Sequence, residues 1–436
     1  MSISLNNARH AMKSRETTLR VGRVSKLVGL LIEAEGTRAR IGELCSIDMG
    51  DGSDLPAEVV GFNEKNLLLM PYRSMAGVQP GSLVRPSGHP LRIAMGKALI
   101  GRVLDGLGRP MDDGPTPVLR EMRDIRSRAP SPLDRVPIRK PFETGIRSMD
   151  ALMTCGEGQR MGIFAGSGVG KSVLLGMLAR NAKADVVVLA LIGERGREVR
   201  EFIEESLGKE GLARSVVVAV TSDATALERV KGAETAMAIA EYFRDEGKRV
   251  LLMMDSVTRY AMALREIGLA TGEPPASKGY TPSVFAALPK LLERAGVSEK
   301  GSITGLFTVL VEGDDFNEPI SDAVRSILDG HIVLSRRLAS RGQFPAVDVL
   351  NSISRLFTRV SSPEQVANAR ELGESMAIYE ENEDLIQIGA YQPGSSLGID
   401  RSIELRPRWI NFLKQGIDEQ SDLSSSAFEL NELLKN

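Results

Sequence analysis

Hydrophobic and polar positions along this 436-residue chain follow three rhythms. From about Leu19 to Pro86, short apolar runs (LVGLLIEAE, AEVVGF, NLLLMPY) are broken by Gly, Asp, Asn and Pro. That spacing predicts a small antiparallel barrel or sandwich. From Gly158 the apolar runs become continuous: QRMGIFA, DVVVLALIG, SVVVAV, RVLLMMD and ITGLFTVL. Strands buried on both faces read this way. They alternate with helical stretches such as ATALERVKGAETAMAIAEYF, which predicts a parallel sheet covered by helices. After about Ser361 helical text dominates, in SPEQVANARELGESMAIYEE and RWINFLKQGIDEQ, and predicts a helical C-terminal domain.

Between these blocks, Gly106 to Lys140 is rich in Gly, Pro, Asp and Arg, and its prolines leave no helical period. Its interspersed apolar residues favour an ordered, extended connection over a floppy linker. The first twenty residues are polar, with Leu5, Ala8 and Met12 spaced for one helical face. A frayed terminus and a partner-binding helix both fit that spacing. The expected division is a tail over 1–18, a β-barrel domain over 19–88, a core with its lead-in segment over 89–360, and a helical domain over 361–436.

Composition narrows the class. Apolar residues make up 42% and charged residues 26%, as in a globular protein with a sizeable core. With 55 basic and 57 acidic residues the net charge is −2. No strongly basic field exists to hold a nucleic-acid backbone. Aromatics are only 4%, too few for a base-stacking platform in the N-terminal module. Two cysteines, Cys45 and Cys155, make neither a metal cluster nor a disulfide scaffold. The N-terminus lacks the apolar stretch of a signal peptide, and no run approaches the ~20 apolar residues of a membrane span. The chain therefore reads as cytoplasmic and soluble, with docking on a membrane-bound partner left open.

Candidate chemistry concentrates in MGIFAGSGVGKSVLLGMLAR, which reads as strand, Gly-rich loop and helix. The loop fits the phosphate-loop pattern except at its first position, where Ala165 stands in place of Gly. Gly166, Gly168 and Gly170 let backbone N–H groups converge on phosphate oxygens, and the helix adds its positive end. Ser167, Val169 and Val173 complete the expected binding segment. Lys171 is placed to neutralise β/γ-phosphate charge and Ser172 to ligate Mg²⁺. A second carboxylate should hold the Mg²⁺ shell, and Asp255 follows the apolar run RVLLMM. A helix-capping Asp is the plainer reading of that residue. Hydrolysis also needs a base for the attacking water. Glu194 ends a predicted strand at the sheet edge where ligands bind. Within ERGREVRE, Arg195, Arg197, Glu198 and Glu201 compete with it, and such a charge run by itself is a solvated helix start.

Several stretches resemble one family: GERGREVRE, DSVTRYAMALREI, PPASKGYTPSVFAALPKLLERAG, DAVRSILDGHIVLSR and PAVDVLNSISR. They are similar to the catalytic ATPases of type III secretion, relatives of the rotary ATP synthase α and β subunits. The resemblance runs from about residue 20 to about 430. VGLLIEAEGTRARIGELCSID and LPAEVVGFNEKNLLLMP look most like the flagellar export ATPase, with injectisome ATPases close behind. It implies a RecA-like P-loop core, an N-terminal β-barrel and a C-terminal helical domain. It further implies an Mg-dependent ATPase that forms a homohexamer with sites between subunits. Glu194 would activate water, with Lys171 and Arg195 beside it. Arg355 would be the arginine finger reaching a neighbour's γ-phosphate; without the resemblance it reads as a surface ion-pair partner. Phe344 would lie against adenine, core packing being the plainer use of the ring. Tyr391 and Gln392 would line the other side of the base.

The same resemblance implies partners. Glu312 to Pro319, EGDDFNEP, matches the loop that faces a central channel and touches a coiled-coil stalk; otherwise it is an acidic surface loop. A stator-like regulator, an export gate at the inner face of the cytoplasmic membrane, export substrates and chaperones would complete the set, with no nucleic acid. ATP hydrolysis would release chaperones, unfold cargo or turn the stalk. Two other classes differ in sequence: a nucleic-acid translocase of the transcription-termination helicase kind, opposed by the neutral charge, and a non-catalytic nucleotide-binding subunit, opposed by Glu194 where non-catalytic subunits carry Gln.

Overall fold

The computed structural model describes residues 21–311 and 315–435. The Leu5–Ala8–Met12 face and residues 312–314 of the acidic loop lie outside the described residues. The chain divides into two compact units.

The first unit carries a closed barrel, so the β-rich text folds as a barrel and not a sandwich. Its strands are β1 (Gly22–Val28), β2 (Leu31–Glu35), β3 (Glu43–Asp48), β4 (Asp54–Asn63), β5 (Asn66–Pro71) and β6 (Leu83–Pro90). They close in the order β1-β2-β5-β4-β3-β6, all antiparallel. Alternation decides which side chains fill it. In β3, Glu43, Cys45 and Ile47 are buried while Leu44, Ser46 and Asp48 are only partly so. Cys45 and Ile47 join Val24, Ile32, Ala34, Val59, Leu69 and Val84 in the interior. The buried Glu43 carboxylate is not orphaned, since the N–H groups of Arg40 and Gly88 donate to it at 2.9 and 2.8 Å. Pairing of Val28 with Leu31 leaves a two-residue turn, and Gly29 supplies its positive φ of 58°.

The second unit is built on a nine-stranded sheet. Its main strands are β7 (Val103–Leu104), β8 (Arg160–Ala165), β9 (Val186–Glu194), β10 (Ser215–Thr221), β11 (Arg249–Asp255), β12 (Ser302–Leu310), β13 (Gly330–Leu334) and β14 (Val347–Ser354). They lie in the order β14-β13-β8-β12-β11-β9-β10-β7. All pairs are parallel except β13 with β14; the ninth strand, Gly296–Val297, pairs antiparallel with β12. The continuous apolar runs are these strands. In β9 every residue from Val186 to Gly193 is buried, and Glu194 is the first to emerge.

The Pro-rich connection is ordered by arginines. Arg102 pairs with Asp112, and Arg123 reaches Asp245 at 2.8 Å. Arg135 donates to the Glu293 carboxylate and backbone, at 2.8 and 2.6 Å. Three helices end the unit: Pro363–Gln387, Leu397–Leu413 and Leu423–Leu434. Leu405, Trp409, Phe412, Leu430 and Leu433 enter the same apolar core as Phe142, Ile146 and Met149. One expectation needs correction. Helical text was expected through Gln420, but the helix stops at Leu413. Gln415 takes other bonds there. Its N–H donates to the Phe344 carbonyl at 2.9 Å, its side-chain oxygen accepts from Arg147 N at 2.8 Å, and its amide donates to Gly145 O at 2.9 Å. Among the described residues no helix is long and apolar enough to cross a membrane.

Candidate active site

The Gly-rich loop joins β8 to helix α1 (Lys171–Asn181). Ala165, the departure from pattern, is the last residue of β8, in register with Leu310 and Leu334. Extended backbone has no need of glycine, so the departure leaves the loop intact. Gly168 and Gly170 do need it, with φ of 75° and 86°. Val169 is buried and anchors the loop in the core, while Ser167, Gly168, Ser172 and Val173 stay exposed. Around them lies a cavity of about 600 Å³, lined by Gly166 to Gly170 except Val169, by Lys171, Ser172 and Val173, and by Glu194, Arg195, Glu198, Arg259 and Arg336.

The strands bring two distant carboxylates to the loop lysine. Lys171 Nζ contacts Asp255 Oδ1 and lies 3.7 Å from Glu194 Oε1. Asp255, buried as the last residue of β11, also accepts from Thr308 Oγ1 at 2.7 Å. At the start of the helix that follows, it is Ser256 whose hydroxyl accepts a backbone N–H, from Arg259 at 3.2 Å. Ser172, Glu194, Glu198 and Asp255 line one adjoining cavity of about 190 Å³. Burial raises the Glu194 carboxyl above its ordinary range. Lys171 opposes that rise, and the Asp255 charge and a hydrogen bond with Glu198 add to it. Glu194 is thus a shielded carboxyl with elevated proton affinity, next to a cation and facing the phosphate loop.

The charge run beyond it behaves as a solvated helix start. Arg195 pairs with Glu198 at 3.1 Å, Arg197 with Glu201 at 3.4 Å and Arg200 with Glu204 at 2.8 Å, all on exposed side chains. Arg195 nonetheless lines the cavity. Phe344 is 47% exposed, so the ring is not core. A Cβ on Gly170 would sit 3.4 Å from it, which places the ring against the phosphate loop. The Tyr391 hydroxyl donates to Asp400 at 2.9 Å and Gln392 is exposed; neither lines the loop cavity. Arg355 is exposed, and its backbone N–H donates to Asp329 O at 3.0 Å. Among the described residues it has no ion-pair partner, and it does not line its own chain's cavity.

Comparison with known proteins fits this geometry. Residues 145–354 match the nucleotide-binding domain of the ATP synthase alpha/beta family, 24–88 match the beta-barrel domain of that family, and 361–432 match the T3SS EscN ATPase C-terminal domain. The chain is 55% identical over 419 residues to the flagellum-specific ATP synthase of Bacillus subtilis, covering 96% of each. The type 3 secretion system ATPase of Xanthomonas euvesicatoria is 50% identical over 92% of this chain and 91% of its own length. The solved structure of assembled EscN from enteropathogenic E. coli superimposes with a TM-score of 0.90 at 47% identity, over 95% of this chain and all of that one. The chain belongs to the type III secretion ATPases.

This ATPase carries the three-part fold of its family, and the flagellum-specific reading is favoured over the injectisome and helicase alternatives. Sequence reasoning missed three residues of the site: Thr308, Arg259 and Arg336. Thr308 is the one hydroxyl in the second half of an apolar run, a weak signal. Arg259 lies in the quoted DSVTRYAMALREI stretch without a role attached to it; its side chain packs on Gly193, where a Cβ would meet Arg259 Cβ at 3.0 Å. Arg336 is one arginine among three in SRRLASR, with nothing to single it out.

Proposed function

We propose that this ATPase works as a homohexamer whose sites are completed between subunits, and that its hydrolysis of ATP energises export of flagellar proteins. Glu194 orients the attacking water and takes its proton. Lys171 and the N–H groups of Gly166 to Val173 hold the phosphates, with Arg195 as a second cation at the cavity mouth. Ser172 and Asp255 are the Mg²⁺ residues: they line one cavity and both offer oxygen, the donor that this hard cation takes. An Mg²⁺ ion held by them would neutralise charge on the phosphates. Phe344 stacks on adenine, with Tyr391 and Gln392 toward its other face. Arg355 serves the neighbouring subunit's site and stabilises charge as the γ-phosphate transfers.

Glu194 carries the reading. It is the first residue to emerge from an otherwise buried strand, and it lies 3.7 Å from the phosphate-loop lysine. Arg355 supports the shared site, since an exposed arginine with no ion-pair partner among the described residues is available to another subunit. One relative has been solved in complex with its central stalk EscO, 46% identical over 95% of this chain, TM-score 0.89. By analogy the Glu312–Pro319 loop meets a coiled-coil stalk here. A stator-like regulator, the export gate, export substrates and chaperones are the remaining partners. The place of action is the cytoplasm, at the inner face of the membrane.

The test is the ATPase rate against protein concentration for the wild type, for Glu194→Gln, for Arg355→Ala and for an equal mixture of the two variants. Each variant alone should be inactive, and the wild-type rate per subunit should climb with assembly. In the mixture some interfaces join an intact Glu194 to a neighbour's intact Arg355, so activity should return. Full activity of Arg355→Ala at every concentration would overturn the shared site.

A further inference from the structure

Arg336 and Arg337 are adjacent in sequence, yet the fold uses them differently. Both begin the short helix Arg336–Ser340 that follows β13. Arg337 is committed within the chain, pairing with Glu380 and lying 3.5 Å from Glu383. Arg336 is exposed, has no ion-pair partner among the described residues, and lines the phosphate-loop cavity.

Sheet order says which part of a bound nucleotide Arg336 meets. The phosphate loop leaves β8, which lies between β12 and β13. Asp255 ends β11 and Glu194 ends β9, so the carboxylates stand on the β12 side. Arg336 follows β13, on the opposite side. Phe344 follows the same short helix, with its ring against Gly170. A nucleotide with its terminal phosphate near Glu194 and its base against Phe344 runs past Arg336 between those ends. The anion available there is the phosphate chain on its adenosine side. A guanidinium without a carboxylate partner suits non-bridging phosphate oxygens.

We propose that Arg336 is a nucleotide-binding residue that contacts the α- or β-phosphate, common to ATP and ADP, and sets affinity for both. The inference rests on the ATPase reading of the site. Its contribution is to ground-state binding, so its loss is felt in KM and in equilibrium affinity. An exposed cation on a phosphate gives an effect of about two- to fivefold.

The experiment is calorimetric titration of the full chain with ADP, with a non-hydrolysable ATP analogue and with adenosine, alongside steady-state kinetics. The proteins are the wild type, Arg336→Ala, Arg336→Lys and the control Arg337→Ala. Arg336→Ala should weaken ADP and the analogue by the same factor and leave adenosine unchanged. Its kinetic loss should fall on KM, and Arg336→Lys should recover part of it. Arg337→Ala should bind as the wild type does. Equal ADP affinity in wild type and Arg336→Ala would overturn the inference. Weakening of the triphosphate alone would also overturn it, since the contact would then be to the γ-phosphate. If the wild type itself binds no nucleotide, the ATPase reading fails first, and that outcome is distinct from the other two.

Discussion

On the β12 side of the phosphate loop Lys171 already touches Asp255 and lies 3.7 Å from Glu194, while on the β13 side Arg336 has no ion-pair partner among the described residues. The first group is assembled from three strand ends and holds itself in place without ligand. Thr308 adds a bond of 2.7 Å to Asp255, and the opposed charges lie in a partly buried setting where attraction is strong. Arg336 and Arg355 instead present charge to whatever arrives. Charges satisfied within the chain prearrange the chemistry. Charges left over mark what the chain lacks: a nucleotide for Arg336 and, in the reading above, a neighbouring site for Arg355. The charge run Arg195 to Glu204 stands between these cases, since its ion pairs are exposed and cheap to break.

Removing the cation from the assembled side should have the largest effect. Lys171→Ala removes the cation that pairs with Asp255 and Glu194 and takes a preorganised charge from the phosphates. A loss in kcat/KM of about a thousandfold is expected, the scale seen when one positioned electrostatic contact is deleted. Steady-state kinetics at saturating Mg²⁺ measure it. A loss below tenfold would mean that Lys171 is only a structural partner of Asp255.

Sequence legibility divides along the same line. The strands were legible because burial on both faces demands unbroken apolar runs, and Glu194 was legible as the polar end of one. Closure of the first module was not, because the β1–β6 pair joins Gly22 to Val84 and no local pattern records so distant a partner. Nor was the end of the Leu397–Leu413 helix: Gln415 leaves helical geometry for bonds to Arg147, Gly145 and Phe344, far away in sequence. Thr308 and Arg336 escaped for the same reason. Each gains its role from the strand beside it, β11 for Thr308 and β8 for Arg336.

A smaller effect tests the electrostatics of the assembled side. The Glu194 carboxyl titrates above its ordinary range, so the folded chain holds that proton more tightly than the unfolded chain does. The resulting stability is fully present below the unfolded carboxylate pKa and is lost as pH rises through the raised folded value. Glu194→Gln removes the ionisation. In nucleotide-free protein its melting temperature should therefore exceed the wild type's at pH 8, and the gap should close as pH falls. The same cause predicts the kinetics. The base must be ionised, so kcat/KM falls as pH drops through the raised pKa. Glu198→Gln removes a contact that favours the protonated form, and should move that acid limb to lower pH. A limb that stays in place would separate Glu198 from the titration of Glu194.

The smallest expected change lies one bond further out. Thr308→Val keeps the shape of a fully buried side chain and removes the hydroxyl that donates to Asp255. Lys171 still holds the carboxylate, so Asp255 stays near its place, but one of its two anchors is gone. A lost hydrogen bond to a group still otherwise paired costs about 1 kcal/mol, or roughly fivefold in an equilibrium constant. If Asp255 is an Mg²⁺ residue, the cost appears as a rise of that size in the Mg²⁺ concentration giving half-maximal rate, with the rate at saturating Mg²⁺ close to the wild type's. An unchanged Mg²⁺ requirement together with a lower maximal rate would point elsewhere: Asp255 would then act through Lys171, as the residue that positions the loop's cation.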